Sequence, residues 1–270
     1  MYNVSDCSNK FVSLPVTETN EDMLYPIGIQ NFEDLRRSEY VYVDKTHHIH
    51  RLASTGKYYF LSRPRRFGKS LLVSTMEAYF KGKKELFEGL AIEELEKDWV
   101  EYPVLHLDLN GSKYMYQEDL VVLLSQHLDN WEKEYCITAR YDALEARFRD
   151  VIDAAYEKTG KQVVILVDEY DKPIVNNLDN KDLSDYYRAV LQGFYGVIKS
   201  MGEQTKFCFL TGVSKIGKLS VFSGLNNLKD ISMVKEYADI CGLSENELHK
   251  YFDESVAETY QDGSGYGFKR

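Results

Sequence analysis

The chain has 270 residues, 44% of them hydrophobic, and a formal net charge of −10, which suits one α/β domain with a large core. An isoelectric point near 5.2 argues against broad, sequence-independent affinity for nucleic acid, which rests on phosphate neutralisation. No apolar run reaches membrane-spanning length, no secretory leader is visible, and the four cysteines (Cys7, Cys136, Cys208, Cys241) lack metal-ligand spacing, so a reducing cytoplasm is the expected compartment.

Residues 1–24 are mostly polar and without period, and are expected to be flexible. Asn31 is placed to cap a short helix through Leu35. Tyr40-Val41-Tyr42-Val43 alternates like a short strand, and Asp44 is placed to cap a helix through Leu52. His47, His48 and His50 fall in that helix. His47 and His50 should share a face while His48 points elsewhere. With no cysteine or further acid at ligand spacing, packing or solvent exposure is favoured over a metal site.

The apolar run Tyr58-Tyr59-Phe60-Leu61 then enters Arg63-Pro64-Arg65-Arg66-Phe67-Gly68-Lys69-Ser70, followed by a helical pattern through Leu71, Leu72, Met76, Tyr79 and Phe80. A strand, a tight loop and a helix opening on Gly-Lys-Ser form the layout of a phosphate-binding loop. The unpaired N–H groups and dipole of the helix start attract anions. Lys69 is expected to reach the β- and γ-phosphates of ATP, and the Ser70 hydroxyl to ligate Mg2+. Arg63, Arg65, Arg66, Phe67, Gly68 and Leu71 complete the expected nucleotide contacts. The usual pattern begins with glycine, a position held here by Arg63, so another loop entry is implied.

A charged connection spans residues 81–101. Pro103 to Leu109 reads as the next strand, whose Asp108 is a turn cap before Asn110-Gly111 or an acid at the sheet edge. Two helices follow, with Leu120, Leu124, Leu128 and Trp131 on one face and Leu144, Phe148, Ile152 and Ala155 on the other helix's face. His127 reads as a packing residue, and Gly160 as a C-cap. Val163 to Val167 is a β-branched run suited to a strand buried on both faces. It ends in Asp168, expected to hold magnesium, and Glu169, expected to polarise the attacking water.

Asp171 is near this site by sequence, or structural before Lys172-Pro173. A long amphipathic helix covers Leu183 to Met201, and Lys206 to Thr211 forms a strand with Cys208 as a core residue. Thr211, with Ser214 second, is expected to orient water or sense the γ-phosphate. Asp230 to Val234 is a candidate fifth strand, and Ser244 is placed to cap the first helix of a lid.

These motifs, together with Tyr25-Pro-Ile-Gly-Ile-Gln-Asn-Phe, Tyr42-Val-Asp-Lys-Thr, Val167-Asp-Glu-Tyr-Asp-Lys-Pro and Leu210-Thr-Gly-Val-Ser-Lys, resemble the AAA-type ATPase-like family of bacterial proteins often fused to a restriction-endonuclease-like domain. The resemblance runs from about Tyr25 to Phe252 and includes the Arg-Pro-Arg-Arg-Phe-Gly-Lys-Ser variant. It implies a P-loop NTPase fold: a mostly parallel five-stranded sheet with helices on both faces, of the additional-strand, catalytic-glutamate class, with a partial helical lid at the C-terminus. The expected organisation is a flexible segment 1–24, an ATPase-like domain 25–235, the start of the lid 236–260 and a flexible tail 261–270.

The resemblance also makes Asp44, Lys45 and Thr46 candidates for contacts to the base. It allows a nuclease-like domain or partner beyond residue 270, an oligomer, and a trans-acting arginine drawn from Arg36, Arg37, Arg140, Arg147 or Arg188. ATP hydrolysis driving a conformational switch is the favoured expectation. A non-hydrolysing nucleotide-binding module is one alternative. Action on DNA with a nuclease partner is another, for which these residues offer no D-x-[DE]-x-K pairing on a strand and hairpin.

Overall fold

A computed structural model describes residues 24–138, 140–215 and 227–252. The segments expected to be flexible at both ends lie outside the described residues, apart from Leu24. The elements are α1 (Phe32–Arg37), α2 (Thr46–Thr55), β1 (Tyr58–Ser62), α3 (Lys69–Phe80), α4 (Ala91–Leu95), β2 (Val104–Asp108), α5 (Gln117–Tyr135), α6 (Leu144–Thr159), β3 (Val163–Asp168), α7 (Lys172–Val175), α8 (Lys181–Ser200), β4 (Thr205–Gly212) and β5 (Lys229–Asp230). A final helix, α9, starts at residue 245 and is described to residue 252.

The strands form one parallel sheet in the order β2-β3-β4-β1-β5. β3 is buried along its whole length, as a β-branched strand covered on both faces must be. The strand standing between β1 and β3 in space is β4, although β2 is the one between them in sequence. The five-stranded sheet flanked by helices is the fold class expected from the sequence.

The period-2 alternation of the strands divides the core into two layers. Phe60, Leu105, Ile165, Val167, Cys208 and Leu210 pack with α5, α6 and α8. Tyr59, Leu61, Val164, Leu166, Phe207 and Phe209 pack with α1, α2 and α3 on the other face. The long α8 puts Leu183, Tyr187, Phe194, Val197 and Met201 into the first layer, while Val190 packs at its margin. Stacked Phe148 and Phe194, with ring centroids 4.3 Å apart, join α6 to α8.

Local chemistry explains most boundaries. The Asn31 side chain accepts from the Asp34 N–H at 3.1 Å, and Gly160 ends α6 at φ +65°. Asp44 accepts from the Thr46 N–H at 2.8 Å and from its hydroxyl at 2.6 Å. His127 lies against Trp131, with Nε2 3.3 Å from the Asp108 carbonyl.

Two sequence expectations are corrected. Tyr40 to Val43 forms no strand and joins no ladder; its alternation serves to bury Tyr42 against Phe32, at 5.0 Å between centroids. The fifth strand is only Lys229–Asp230, because the Asp230 carboxylate turns back to accept the Ser232 N–H at 2.9 Å and ends the extended run. His48 points inward as expected while His47 and His50 stay on the outer side of α2, although the His47 and His48 rings still touch, with centroids 3.9 Å apart.

One ion pair ties α5 to α6. Arg147 donates from Nε and Nη2 to both carboxylate oxygens of Glu132, each at 2.8 Å, with the two side chains only 11% and 10% exposed. Removing one partner of a buried pair leaves the other charge desolvated. Arg147→Met should therefore cost about 3 kcal/mol in chemical denaturation, and Arg147→Met with Glu132→Leu should recover most of it. Equal stability of the single variant and the parent would show the pair to be dispensable.

Candidate functional site

The site lies at the C-terminal edge of the sheet, where the register places Ser62 beside Gly212 and Asp108 beside Asp168. β1 leaves the sheet into the loop 63–68. The left-handed backbone that such a loop requires is carried by Arg66, at φ +66°, and Gly68, at φ +82°. The glycine absent from the first position is thus not needed there. A Cβ on Gly68 would meet nothing within 4 Å, so space for a ligand remains over the start of α3.

Arg63 is turned away from that space. Its guanidinium donates to the carbonyls of Ser232 at 2.5 Å and Tyr237 at 3.1 Å, and its N–H to the Gly212 carbonyl at 3.1 Å. Arg63 therefore belongs to the frame that holds the loop against the segment after β5. Arg65 and Arg66 are exposed. Both line a wide cleft of about 1230 Å³ together with Lys69, Ser70, Asp108 and Glu169.

Lys69 is buried at 4% exposure. Its Nζ donates to the Pro64 carbonyl at 3.2 Å and pairs with Glu169 Oε1 at 3.1 Å. Glu169 reaches it from a left-handed backbone, φ +55°. Asp168 is buried beside it and accepts from the Glu169 N–H at 3.0 Å and from the Thr211 hydroxyl. Thr211 is fully buried, so its hydroxyl holds Asp168 rather than facing the cleft.

Ser214 is likewise engaged, giving its N–H and hydroxyl to Asp171 at 2.7 Å and 2.8 Å. The fully buried Asp171 also accepts from Val213 N–H at 3.1 Å, which fixes it as the clamp on the end of β4. Gly212 is required at this point. A Cβ there would stand 2.5 Å from both Asp171 Oδ1 and the Tyr170 ring. Asp108 does both things its position allowed: it caps Asn110 N–H at 2.8 Å and lines the cleft.

A second cavity of about 390 Å³ opens on the other side of the loop. Phe67, Gly68 and Leu71 form one wall, Tyr25, Pro26 and Tyr42 another, and Ile240 to Leu243 a third. Burial pushes the Cys241 thiol up to about 12, so it is a neutral lining group. Gly242 N–H donates to the Phe67 carbonyl at 3.0 Å, joining the loop to this wall. Lys45, also lining the cavity, is paired with Glu247 on α9. Ser244 and Glu247 form a reciprocal cap, with Ser244 N–H donating to Glu247 Oε2 at 2.8 Å. Tyr25 stacks on Phe252 at 5.1 Å.

Sequence reasoning missed Lys172, which donates to the Asn110 side chain at 2.8 Å and lines the wide cleft. A lysine four residues past the end of the acidic strand was a usable signal. It also missed the second cavity's walls at Ile240 to Leu243, for which no local motif exists. Among the candidate trans-acting arginines, Arg36 is bound to the Leu86 and Glu88 carbonyls, while Arg37 pairs with Glu33 and Arg188 with Asp185. Arg147 is held by Glu132, and Arg140 is exposed, with no such tie among the described residues.

A parallel sheet with a strand inserted between β1 and β3, and a tight loop opening a helix on Gly-Lys-Ser, define a P-loop NTPase-like domain. The chain belongs to the family described as Predicted AAA-ATPase, whose sequence model matches residues 26–222. It is 41% identical over 229 residues to a protein of Azotobacter chroococcum mcd 1 described as an uncharacterized protein in the vnfD 5' region. That match covers 84% of this chain and 44% of the relative, so the chain spans less than half of the relative's length. No solved structure matches it. Among the described residues, no helix is long and apolar enough to cross a membrane.

The role of Arg63 is testable apart from any ligand. Arg63→Met removes charged hydrogen bonds to the backbone carbonyls of Ser62, Ser232, Tyr237 and Ala238 and should lower stability by about 2 kcal/mol, read in urea unfolding. Unchanged stability would return Arg63 to the list of groups free to meet a ligand.

Proposed function

We propose that the chain binds ATP-Mg across the two cavities and hydrolyses it slowly, as a conformational switch. The observation that carries this reading is Lys69, buried at the start of α3 and facing Glu169 at 3.1 Å. A buried lysine held by one carboxylate and one carbonyl is a cation ready to exchange partners. Phosphate oxygens are stronger competitors for it, and the N–H groups opening α3 add to their attraction.

Triphosphate is proposed to lie along Pro64 to Ser70, with Arg65 and Arg66 at its exposed side. The base is proposed to enter the apolar cavity lined by Phe67, Tyr42 and Cys241. The Ser70 hydroxyl and the Asp168 carboxylate supply hard oxygen donors, the set that suits Mg2+. Bound there, magnesium would neutralise charge on the phosphate oxygens. Thr211 is proposed to fix the Asp168 carboxylate through its hydrogen bond. Glu169, once released by Lys69, is proposed to accept a proton from the attacking water.

The Lys69–Glu169 pair gives the two residues separable effects. Lys69→Ala should weaken ATP binding by roughly ten- to a hundredfold, the scale of a lost charge-assisted bond of 1.5–3 kcal/mol. Glu169→Gln frees the lysine, so calorimetric affinity should stay equal or tighten while turnover falls roughly a hundredfold. Asp168→Asn should impair both. Undiminished affinity in Lys69→Ala would refute the nucleotide reading.

One observation favours a second reading, a nucleotide-binding module without turnover: the Glu169 carboxylate is already committed to Lys69. Phosphate release by the parent that does not exceed that of Glu169→Gln would establish it. The proposed nuclease partnership is tested by the same assay with DNA added, where stimulation would support it.

A further inference from the structure

The fold brings three potential metal ligands together at the first turn of α2, apart from the phosphate side of the cleft. His47 and His48 stand next to each other on the helix, and Asp239 approaches from the turn after β5. One ligand atom from each lies within 4.8 Å of the others. His48 Nε2 is 3.0 Å from Asp239 Oδ1, and the His47 and His48 rings are in contact at 3.9 Å between centroids.

His48 is the anchor of this group. It is only 4% exposed, and its other ring nitrogen, Nδ1, is buried without a hydrogen-bond partner among the described residues. Nε2, the ring nitrogen that faces Asp239, is the one placed to ligate an ion shared with that carboxylate, and Nδ1 would stay outside the coordination sphere. His47 and Asp239 are exposed, so modest rotations of these two side chains can close the set around a common centre. Lys45, whose charge is felt by both His48 and Asp239, is paired with Glu247.

We propose that His47, His48 and Asp239 form a binding site for a first-row divalent transition metal such as zinc. Two imidazole nitrogens and one carboxylate oxygen are borderline donors that favour zinc, cobalt or nickel over magnesium. Three protein ligands leave a fourth position for water. An ion there would join α2 to the turn carrying Ile240 to Leu243, one wall of the apolar cavity. The site would thereby set the position of that wall.

Cobalt reports this geometry directly, because tetrahedral Co2+ absorbs strongly in the visible while hydrated Co2+ does not. The whole chain, free of any affinity tag and of nucleotide, is titrated with Co2+ and then with Zn2+. The expected result is visible absorption saturating at one equivalent and displaced by zinc. His47→Ala and Asp239→Asn, both exposed positions that spare the fold, should each weaken binding roughly tenfold or more, while Ser70→Ala should leave it unchanged. Absence of the absorption, or equal affinity in His47→Ala and Asp239→Asn, would overturn the proposal and leave His48–Asp239 as a hydrogen bond alone. The titration contains no nucleotide, so its outcome is independent of the ATP reading.

Discussion

The parallel ladder ends four strands at one edge, with Ser62 opposite Gly212 and Asp108 opposite Asp168. Everything in the cleft depends on that register. A one-residue slip would turn Asp168 from its place beside the loop to the opposite face of the sheet. The register also sets Thr211 next to Asp168, so that a fully buried hydroxyl satisfies a nearly buried carboxylate. Asp171 then locks the strand end by accepting three hydrogen bonds from Val213 and Ser214. The acids of the acidic strand thus divide between two jobs, one reaching into the cleft and one holding its frame.

Charge in this region is arranged in pairs. Lys69 faces Glu169, Lys45 faces Glu247, and Arg63 is absorbed by backbone carbonyls. Arg65 and Arg66 remain exposed over the wide cleft. An overall acidic chain therefore keeps local positive charge where an anion would be drawn. Because Lys69 and Glu169 neutralise each other, binding and catalysis would share one switch: the partner that captures the lysine frees the carboxylate.

The chemistry-bearing segments were legible because each is dictated locally. A β-branched run names β3, Gly-Lys-Ser names the start of α3, and Asn31 and Gly160 name their caps. What failed depended on neighbours. Tyr40 to Val43 alternates as a strand would, yet it has no ladder to join and uses its alternation for packing. The short helix α4, with Ile92 buried, was hidden in a connection whose charges mask its apolar residues. Arg63 reads as a phosphate ligand by position, and only the approach of residues 232–238 shows where its guanidinium goes. The pair of Lys45 and Glu247 is separated by 202 residues, beyond the reach of any local pattern. His48 and Asp239, separated by 191 residues, are a second example.

The central claim is that one ligand spans both cavities, its phosphates over the start of α3 and its base against Phe67 and Tyr42. A crystal structure of the chain with a non-hydrolysable ATP analogue and Mg2+ tests this directly. The account predicts Lys69 Nζ on a phosphate oxygen and no longer on Glu169, with the base enclosed by Tyr42, Phe67 and the Ile240–Leu243 wall. A nucleotide seated elsewhere, or one bound with the Lys69–Glu169 pair intact, would contradict it.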